Sequence, residues 1–300
     1  MRIVFFGTPD FAVPSLKILV DNGYDIAAVV TVADKPAGRG LQIQQSPIKK
    51  YALEAGLKIL QPEKLKDENF IAELKSLNAD LQIVIAFRML PEIVWNMPPI
   101  GTFNLHGSLL PKYRGAAPIN WAIINGEKET GVTTFFLKHE IDTGDVLMQK
   151  KIEISESSTA GDLHDKMMLI GAEVVLQTVK LIESKNYHLQ PQTGDIIHAP
   201  KIFKPDCKIN FNQSVEKVFN HIRGLSPYPA AFTDLNGKVL KVYSAKKIIA
   251  QHTFEIGSFQ TDNKTYLNFA CTDGFISVEN IQLEGKQKMN VIDFLRGWRA

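Results

Sequence analysis

Three residues, Asn104, His106 and Asp142, are of types that support acid–base and electrostatic catalysis. Asn104 and His106 lie two positions apart at the end of an apolar run, and on a β-strand this spacing points both side chains to the same side. An amide donor beside an imidazole can stabilise a developing oxyanion and supply a proton. Asp142 lies in a turn-forming segment, from which its carboxylate could orient the imidazole and balance its charge.

Two interpretations of these three residues stay open on residue types alone. An Asn-x-His pair is often a structural hydrogen-bonding pair, and Asp-Thr-Gly is often only a turn. The sequence contains no Gly-x-Ser-x-Gly elbow, no His-Glu-x-x-His motif and no cysteine near a histidine. These observations disfavour covalent and metal catalysis. The catalytic chemistry that then fits the three residues is direct acyl transfer through a tetrahedral intermediate.

The segments that must position these residues alternate between strand and helix patterns. Apolar runs at Arg2–Phe6, Ile26–Val32, Ala79–Phe87 and Thr102–His106 predict buried strands, with amphipathic helices between them. This alternation predicts an α/β domain with an open, mostly parallel, Rossmann-like sheet. A long amphipathic helix is predicted over Ala160–Ile182.

The turn after the first strand, Gly7–Asp10, lies where open α/β sheets bind ligands. It lacks the Gly-x-Gly-x-x-Gly fingerprint of dinucleotide sites, which disfavours a nicotinamide-dependent oxidoreductase. A helix start stiffened by Pro9 is the structural alternative. Further along, Val132–Leu137 predicts a strand, and Val146-Leu147 followed by Lys150–Ile154 predicts a hairpin-like pair.

The last third of the chain has a different pattern. Between residues 185 and 203, prolines and glycines interrupt any helix-like or strand-like spacing of apolar residues, which indicates a linker. Short β-rich runs follow it, at Ala231–Leu235, Val239–Ala245, Lys264–Ala270 and Phe275–Leu283. They predict a small, OB-like β-barrel. We therefore expect a catalytic domain over 1–184, a linker over 185–203 and a C-terminal barrel domain over 204–300.

Composition narrows the class of protein. The 300 residues carry a net charge of +2, but residues 204–300 contain 13 Lys and Arg against 9 Asp and Glu. This mildly basic third is weak support for a polyanionic partner. No apolar run is long enough to span a bilayer, and the N-terminus lacks a signal-peptide pattern. The two cysteines are in no metal-binding spacing, so we expect a cytoplasmic protein without a disulfide framework or a metal.

At this point the motifs resemble those of a known family. The segment Asn104–Gly115, continued by Ala116–Ile119, resembles the signature loop of the formyltransferases that use 10-formyltetrahydrofolate. Asp142, within Ile141–Asp145, matches the catalytic aspartate of that family. Further similarity, above all to members that act on methionyl-tRNA, covers nearly the whole chain and includes Phe6–Phe11, Asp34–Gly40, Ser46–Lys49 and Ser226–Pro229.

The resemblance implies transfer of the formyl group of 10-formyltetrahydrofolate to the α-amine of methionyl-initiator tRNA, for translation initiation. It implies that the catalytic residues are Asn104, His106 and Asp142. It implies a folate-binding loop formed by Ser108, Leu109, Leu110 and Pro111. It also implies tRNA contacts from the C-terminal domain and from the insertion that contains Lys35 and Arg39. We expect a monomer that requires no metal ion and does not associate with a membrane.

Two other kinds of function compete with this expectation. Sugar-amine or purine-precursor formyltransferases and deformylases share the three catalytic residues, although purine-precursor enzymes lack the additional terminal third. A catalytically silent tRNA- or folate-binding module is the alternative from a different class. Formyl transfer to methionyl-tRNA, compared with a sugar-nucleotide amine, separates these functions.

Overall fold

The computed structural model describes residues 1–37 and 42–298. The strands before residue 200 are β1 (Arg2–Gly7), β2 (Asp25–Val30), β3 (Lys35–Ala37), β4 (Gln42–Gln44), β5 (Ile59–Leu60), β6 (Leu81–Ile85), β7 (Gly101–His106), β8 (Arg114–Gly115), β9 (Glu129–Phe136), β10 (Val146–Glu153) and β11 (His198–Ala199). The strands after it are β12 (Ala231–Leu235), β13 (Lys238–Ile249), β14 (Phe259–Thr261), β15 (Leu267–Cys271), β16 (Gly274–Leu283) and β17 (Met289–Asn290). The helices are α1 (Val13–Asp21), α2 (Pro47–Glu54), α3 (Glu68–Ser76), α4 (Glu92–Trp95), α5 (Pro118–Ile124), α6 (Ala160–Glu183), α7 (Val215–Gly224) and α8 (Val291–Arg296).

A seven-stranded sheet forms the first half of the molecule, in the order β10-β9-β7-β6-β1-β2-β5. Strands β5, β2, β1, β6 and β7 are parallel, and β9 runs antiparallel to β7. The central strands are buried almost throughout, as a parallel sheet covered on both faces requires. The predicted Rossmann-like, mostly parallel sheet is therefore confirmed.

Helix α6 shows how the sequence determines the local structure. Its start is a capping box, in which the Thr159 amide donates to the Asp162 carboxylate (2.8 Å) and the Asp162 amide donates to the Thr159 hydroxyl (3.2 Å). The helix packs on the sheet at Gly171, where an added Cβ would lie 2.7 Å from a methyl carbon of Leu105. A glycine at this position therefore allows the helix to approach the strand that carries Asn104 and His106.

The C-terminal part is an antiparallel sheet, ordered β12-β13-β16-β15-β14, with β17 paired to β16. Helix α7 packs against β13 and β16, and its apolar face joins the core formed by the sheet. A curled sheet around a helix agrees with the predicted barrel-like domain. The prediction of a hairpin-like pair at residues 146–154 is wrong, since Val146–Glu153 is one continuous strand beside β9.

The backbone contacts divide the chain into two compact units. The first comprises 1–114, 131–152 and 164–198, and the second comprises 115–130, 153–163 and 199–300. The second unit thus combines the C-terminal part with two short segments from earlier in the sequence. The three-part division at residues 184 and 203 stays a prediction.

None of the helices within 1–37 and 42–298 is long and apolar enough to cross a bilayer. In the same residues, no group of three or more His, Cys, Asp or Glu side chains is arranged to hold a metal ion. Both cysteines are buried and reduced, and burial raises the pKa of the Cys271 thiol to about 12.

Candidate active site

Strand β7 positions Asn104 and His106. Asn104 pairs with Val84 of the neighbouring parallel strand, and His106 pairs with Thr133 of β9. Leu105, between them, is 3% exposed and points to the opposite face, toward α6. Asn104 and His106 therefore share one face at the carboxyl end of the strand, as the period-two spacing predicts. Asn104 is half-buried, whereas His106 is buried.

The two nitrogens of the His106 ring have different partners. Nε2 lies 2.8 Å from the main-chain oxygen of Tyr113. A carbonyl oxygen only accepts, so Nε2 must carry a hydrogen and donate it. Nδ1 lies 3.9 Å from Oδ2 of Asp142. The ring is thus oriented from its Nε2 side, and its Nδ1 side faces the carboxylate.

Asp142 reaches His106 from the turn that joins β9 to β10. Its backbone has a positive φ of 55°, a conformation that non-glycine residues seldom adopt. Two residues on, Gly144 lies against the preceding strand, and an added Cβ would lie 1.6 Å from the main-chain oxygen of Phe136. The turn therefore has room for no side chain at 144. The structure brings His106 and Asp142 together although they are distant in sequence.

A glutamine from the segment predicted to be a linker contacts this turn. Nε2 of Gln192 donates to the main-chain oxygens of Asp142 (2.9 Å) and Gly144 (2.8 Å). Its Oε1 accepts from Nη2 (2.6 Å) and Nε (3.1 Å) of Arg114. The Asp142 turn is thus connected through one side chain to the residue that follows Tyr113.

The Ser108–Pro111 loop is largely buried, with Leu109 its most accessible residue. The Thr133 hydroxyl donates to the Ser108 main-chain oxygen (2.6 Å) and accepts from the Leu110 amide (3.2 Å). Nε2 of Gln149 donates to the Leu110 main-chain oxygen (2.9 Å). Much of the main chain of this loop is therefore hydrogen-bonded within the protein.

Of the two residues implied in tRNA contacts, Lys35 begins β3, which pairs with β4. Arg39 lies within 38–41, outside the described residues. At the base of this β3–β4 segment, Lys49 Nζ contacts the Asp34 carboxylate at 2.6 Å, and Gln61 donates to the same group. The hydrogen bonds from Lys49 and Gln61 hold the pKa of Asp34 below its ordinary value.

Sequence reasoning did not single out Tyr113, Gln192, Thr133 or Gly144 for this site. The contribution of Tyr113 is a main-chain oxygen, which leaves no trace in its residue type. Gln192 follows a proline in a segment without periodicity, which indicates only a loop. Gly144 gave the one usable signal, since a glycine two residues after a candidate catalytic aspartate is typical of a close backbone approach.

Comparisons with known proteins agree over the whole chain. The formyl transferase model matches residues 1–179, and the model of the formyl transferase C-terminal domain matches residues 201–299. The methionyl-tRNA formyltransferase of Phocaeicola vulgatus is 56% identical over 312 residues, covering 100% of this chain and 96% of its own. That of Parabacteroides distasonis is 53% identical over 311 residues, with the same coverage of 100% and 96%.

A solved structure shares the fold. The crystal structure of WlaRD, a sugar 3N-formyl transferase, has a TM-score of 0.70 and 22% identity, covering 96% of this chain and 99% of that one. Together with the two family models and the full-length relatives, these findings show that the chain belongs to the methionyl-tRNA formyltransferase family.

Proposed function

We propose that this protein transfers the formyl group of 10-formyltetrahydrofolate to the α-amine of methionyl-initiator tRNA, for translation initiation. The observation that carries the proposal is the approach of His106 and Asp142, at 3.9 Å, beside Asn104 in a chain of this family. The transfer is direct, through a tetrahedral intermediate. The protein acts as a monomer in the cytoplasm, where charged initiator tRNA is found.

Asn104 stabilises the negative charge that develops on the formyl oxygen. Its side-chain amide donates from a half-buried position at the end of β7. A donor that is fixed by a strand before the reaction needs no reorganisation as the charge develops. A formyl group on the N10 nitrogen of the folate is already an activated acyl group, so no covalent enzyme intermediate is required.

His106 transfers protons through Nδ1. Its Nε2 hydrogen is engaged by the Tyr113 carbonyl, so the nitrogen that can exchange a proton is the one that faces Asp142. The protonated ring donates from Nδ1 to the leaving N10 nitrogen, or to the formyl oxygen. Asp142 balances the charge of the ring and accepts the proton that the attacking amine loses. One proton leaves the amine for Asp142 and one passes from His106 to the folate nitrogen, and transfer of the Asp142 proton to Nδ1 then restores both groups.

The Ser108–Pro111 loop forms a fixed wall of the folate site. The internal hydrogen bonds of Ser108 and Leu110 favour a role in shape over a role as free hydrogen-bonding groups. Leu109 is the accessible side chain of the loop, and it supplies apolar contact to the folate. Ser108, Leu110 and Pro111 fix its position.

The tRNA is bound by the C-terminal domain and by Lys35 and Arg39. Residues 204–300 contain 13 basic and 9 acidic residues, and this positive balance supports the assignment, since phosphate contacts supply much of the affinity for nucleic acid. Binding of methionyl-tRNA should therefore weaken steeply as the salt concentration rises.

The test is an assay of the purified protein with 10-formyltetrahydrofolate and methionyl-tRNA, with formylmethionine as the readout. A parallel reaction supplies a sugar-nucleotide amine at the same concentration. Formylmethionine formed in preference to formylated sugar is the expected result. Preference for the sugar amine overturns the assignment of the acceptor. Folate binding with no turnover on either amine identifies a silent binding module instead.

A further inference from the structure

We propose that Gln192, oriented by Arg114, is a positioning residue that fixes the Asp142 carboxylate relative to His106. The inference rests on the proposed function, because it concerns the geometry of that reaction. Gln192 lies in the segment between α6 and the C-terminal sheet, far along the chain from the three candidate catalytic residues. Its role is to hold the main chain of the Asp142 turn, and thereby to fix the direction in which the carboxylate faces His106.

The chemistry of its neighbours determines the orientation of the Gln192 amide. A guanidinium group only donates, so the atom 2.6 Å and 3.1 Å from Nη2 and Nε of Arg114 must be the amide oxygen. The NH₂ group then faces two main-chain oxygens, of Asp142 and Gly144, which only accept. Every one of these four contacts joins a donor to an acceptor. Rotation of the amide by 180° would place donor against donor or acceptor against acceptor in all four contacts.

The Asp142 turn requires such support. Asp142 has the left-handed backbone conformation, which is unfavourable for a residue with a side chain. Gln192 bonds the carbonyls on both sides of Thr143, and Gly144 packs against the carbonyl of Phe136. The turn is thereby fixed from two directions. Because Gln192 is neutral and contacts the turn only through main-chain oxygens, it adds no charge that would compete with His106 for the carboxylate.

The Tyr113–Arg114 dipeptide connects both members of the catalytic pair. The main-chain oxygen of Tyr113 accepts from His106, and the side chain of Arg114 orients Gln192. The Arg114 amide also donates to the main-chain oxygen of Ile197 at 2.9 Å, which anchors the segment that carries Gln192. One short stretch of chain therefore sets the imidazole from one side and the carboxylate from the other.

The primary test is Gln192→Glu, which keeps the size of the side chain and its acceptor for Arg114. It replaces the NH₂ group by a carboxylate oxygen, which repels the two carbonyls. Since a displacement of about 1 Å in a catalytic group reduces the rate by about 10²-fold, we expect kcat to fall roughly 10- to 100-fold. KM for both substrates should change less than about threefold, because neither substrate contacts Gln192 in this proposal. Gln190→Glu is the matched control, since Gln190 is an exposed glutamine in the same segment.

A double-substitution experiment separates positioning from a general structural role. If Gln192 acts through Asp142, then Gln192→Ala should reduce kcat in the wild-type background and have less than about a twofold effect in the Asp142→Asn background. Equal losses in both backgrounds would overturn the proposal. Arg114→Ala is tested in the same way. It should reduce kcat in the wild-type background and have little further effect in the Gln192→Ala background. Independent, multiplying losses from Arg114 and Gln192 would show that Arg114 serves a substrate instead.

Comparison of the wild-type protein with the Gln192→Glu variant in the same assay separates a failure of the positioning role from a failure of the proposed function. If the wild type forms formylmethionine and the Gln192→Glu variant has the same kcat, the positioning role is overturned and the proposed function stays intact. Absence of formylmethionine from the wild type overturns the proposed function, and the positioning role with it. A thermal unfolding curve for each variant identifies any loss of kcat that comes from unfolded protein.

Discussion

The Ser108–Pro111 loop and the Asp142 turn (Ile141–Asp145) approach the same site but are stabilised in different ways. The loop is bonded by Thr133 and Gln149, which lie on the adjacent strands β9 and β10. The turn is bonded by Gln192, from a segment without regular structure, and by the close packing of Gly144. The loop is therefore an extension of the sheet, and the turn depends on a distant part of the chain.

This difference indicates separate roles for the two regions. A loop stabilised by strands of its own sheet keeps its shape through many substitutions, which suits a wall of a binding site. A carboxylate on a turn that needs an outside side chain is sensitive to small displacements, and small displacements of catalytic groups have large effects on rate. Substitutions in the turn should thus affect turnover, whereas those behind the loop should affect stability first.

The largest effect is expected from His106→Ala, which removes the ring that faces the Asp142 turn. Loss of a general acid–base residue typically reduces the rate by about 10²–10⁴, and we expect kcat to fall by that factor. Single-turnover formylation of methionyl-tRNA measures the loss. Turnover within tenfold of the wild type would contradict a role for His106 in proton transfer.

Asn104→Ala should have the next largest effect. Removal of one oxyanion donor typically reduces kcat by about 10²–10³, which corresponds to roughly 3–4 kcal/mol of transition-state stabilisation. Because Asn104 is only half-buried, the thermal unfolding midpoint should change little. A wild-type kcat in this variant would exclude Asn104 from the mechanism.

Gly144→Ala breaks the turn without touching the loop. The new methyl group would collide with the main-chain oxygen of Phe136, so the turn must move and carry Asp142 with it. We expect kcat to fall by about 10²-fold, the usual consequence of a displacement near 1 Å. The control is Gly297→Ala, where an added Cβ meets nothing within 4 Å. If both variants turn over at similar rates, the turn is not the sensitive region.

Thr133→Val removes a hydroxyl from behind the loop and keeps the shape of the side chain. It leaves the Ser108 oxygen and the Leu110 amide without this partner, which should reduce the free energy of unfolding by about 1–3 kcal/mol. We expect kcat to fall less than about tenfold, since Gln149 still bonds the loop.

The matched control for Thr133 lies on the same strand. Thr130 is 3% exposed, and its hydroxyl has no hydrogen-bond partner in the part of the chain that the structure describes. Thr130→Val should therefore leave the free energy of unfolding unchanged or raise it. Urea denaturation of the two variants compares them, and equal destabilisation would show that the Thr133 bonds contribute little.

The smallest effect on turnover is expected from Arg39→Glu, which lies in neither region. KM for methionyl-tRNA should rise several-fold and its salt dependence should decrease, because a phosphate contact is lost. KM for the folate should stay unchanged. Lys64→Glu, at an exposed lysine, makes the same change of charge as a control. Equal increases of both KM values would refute this division between tRNA and folate contacts.

Much of the fold followed from patterns along the chain. The apolar runs predicted β1, β2, β6, β7 and β9 to within a few residues, because buried strands carry a strong local signal. The short pair β3–β4 was not predicted, since strands of three residues have no measurable period. The strand Val146–Glu153 was divided in error, because Gln149, Lys150 and Lys151 interrupt the apolar run while the strand continues beside β9.

The sequence by itself determined which residue types the candidate site contains. The types of Asn104, His106 and Asp142, and the two-residue spacing of the first two, fit an oxyanion donor and an acid–base pair, and the family resemblance favoured this interpretation over a purely structural one. Only the tertiary structure decided how they are arranged. The Tyr113 carbonyl selects which nitrogen of His106 faces Asp142, and Gln192 fixes the turn that carries the carboxylate. Both contacts use main-chain oxygens, which every residue has, so no residue type along the chain could have indicated them.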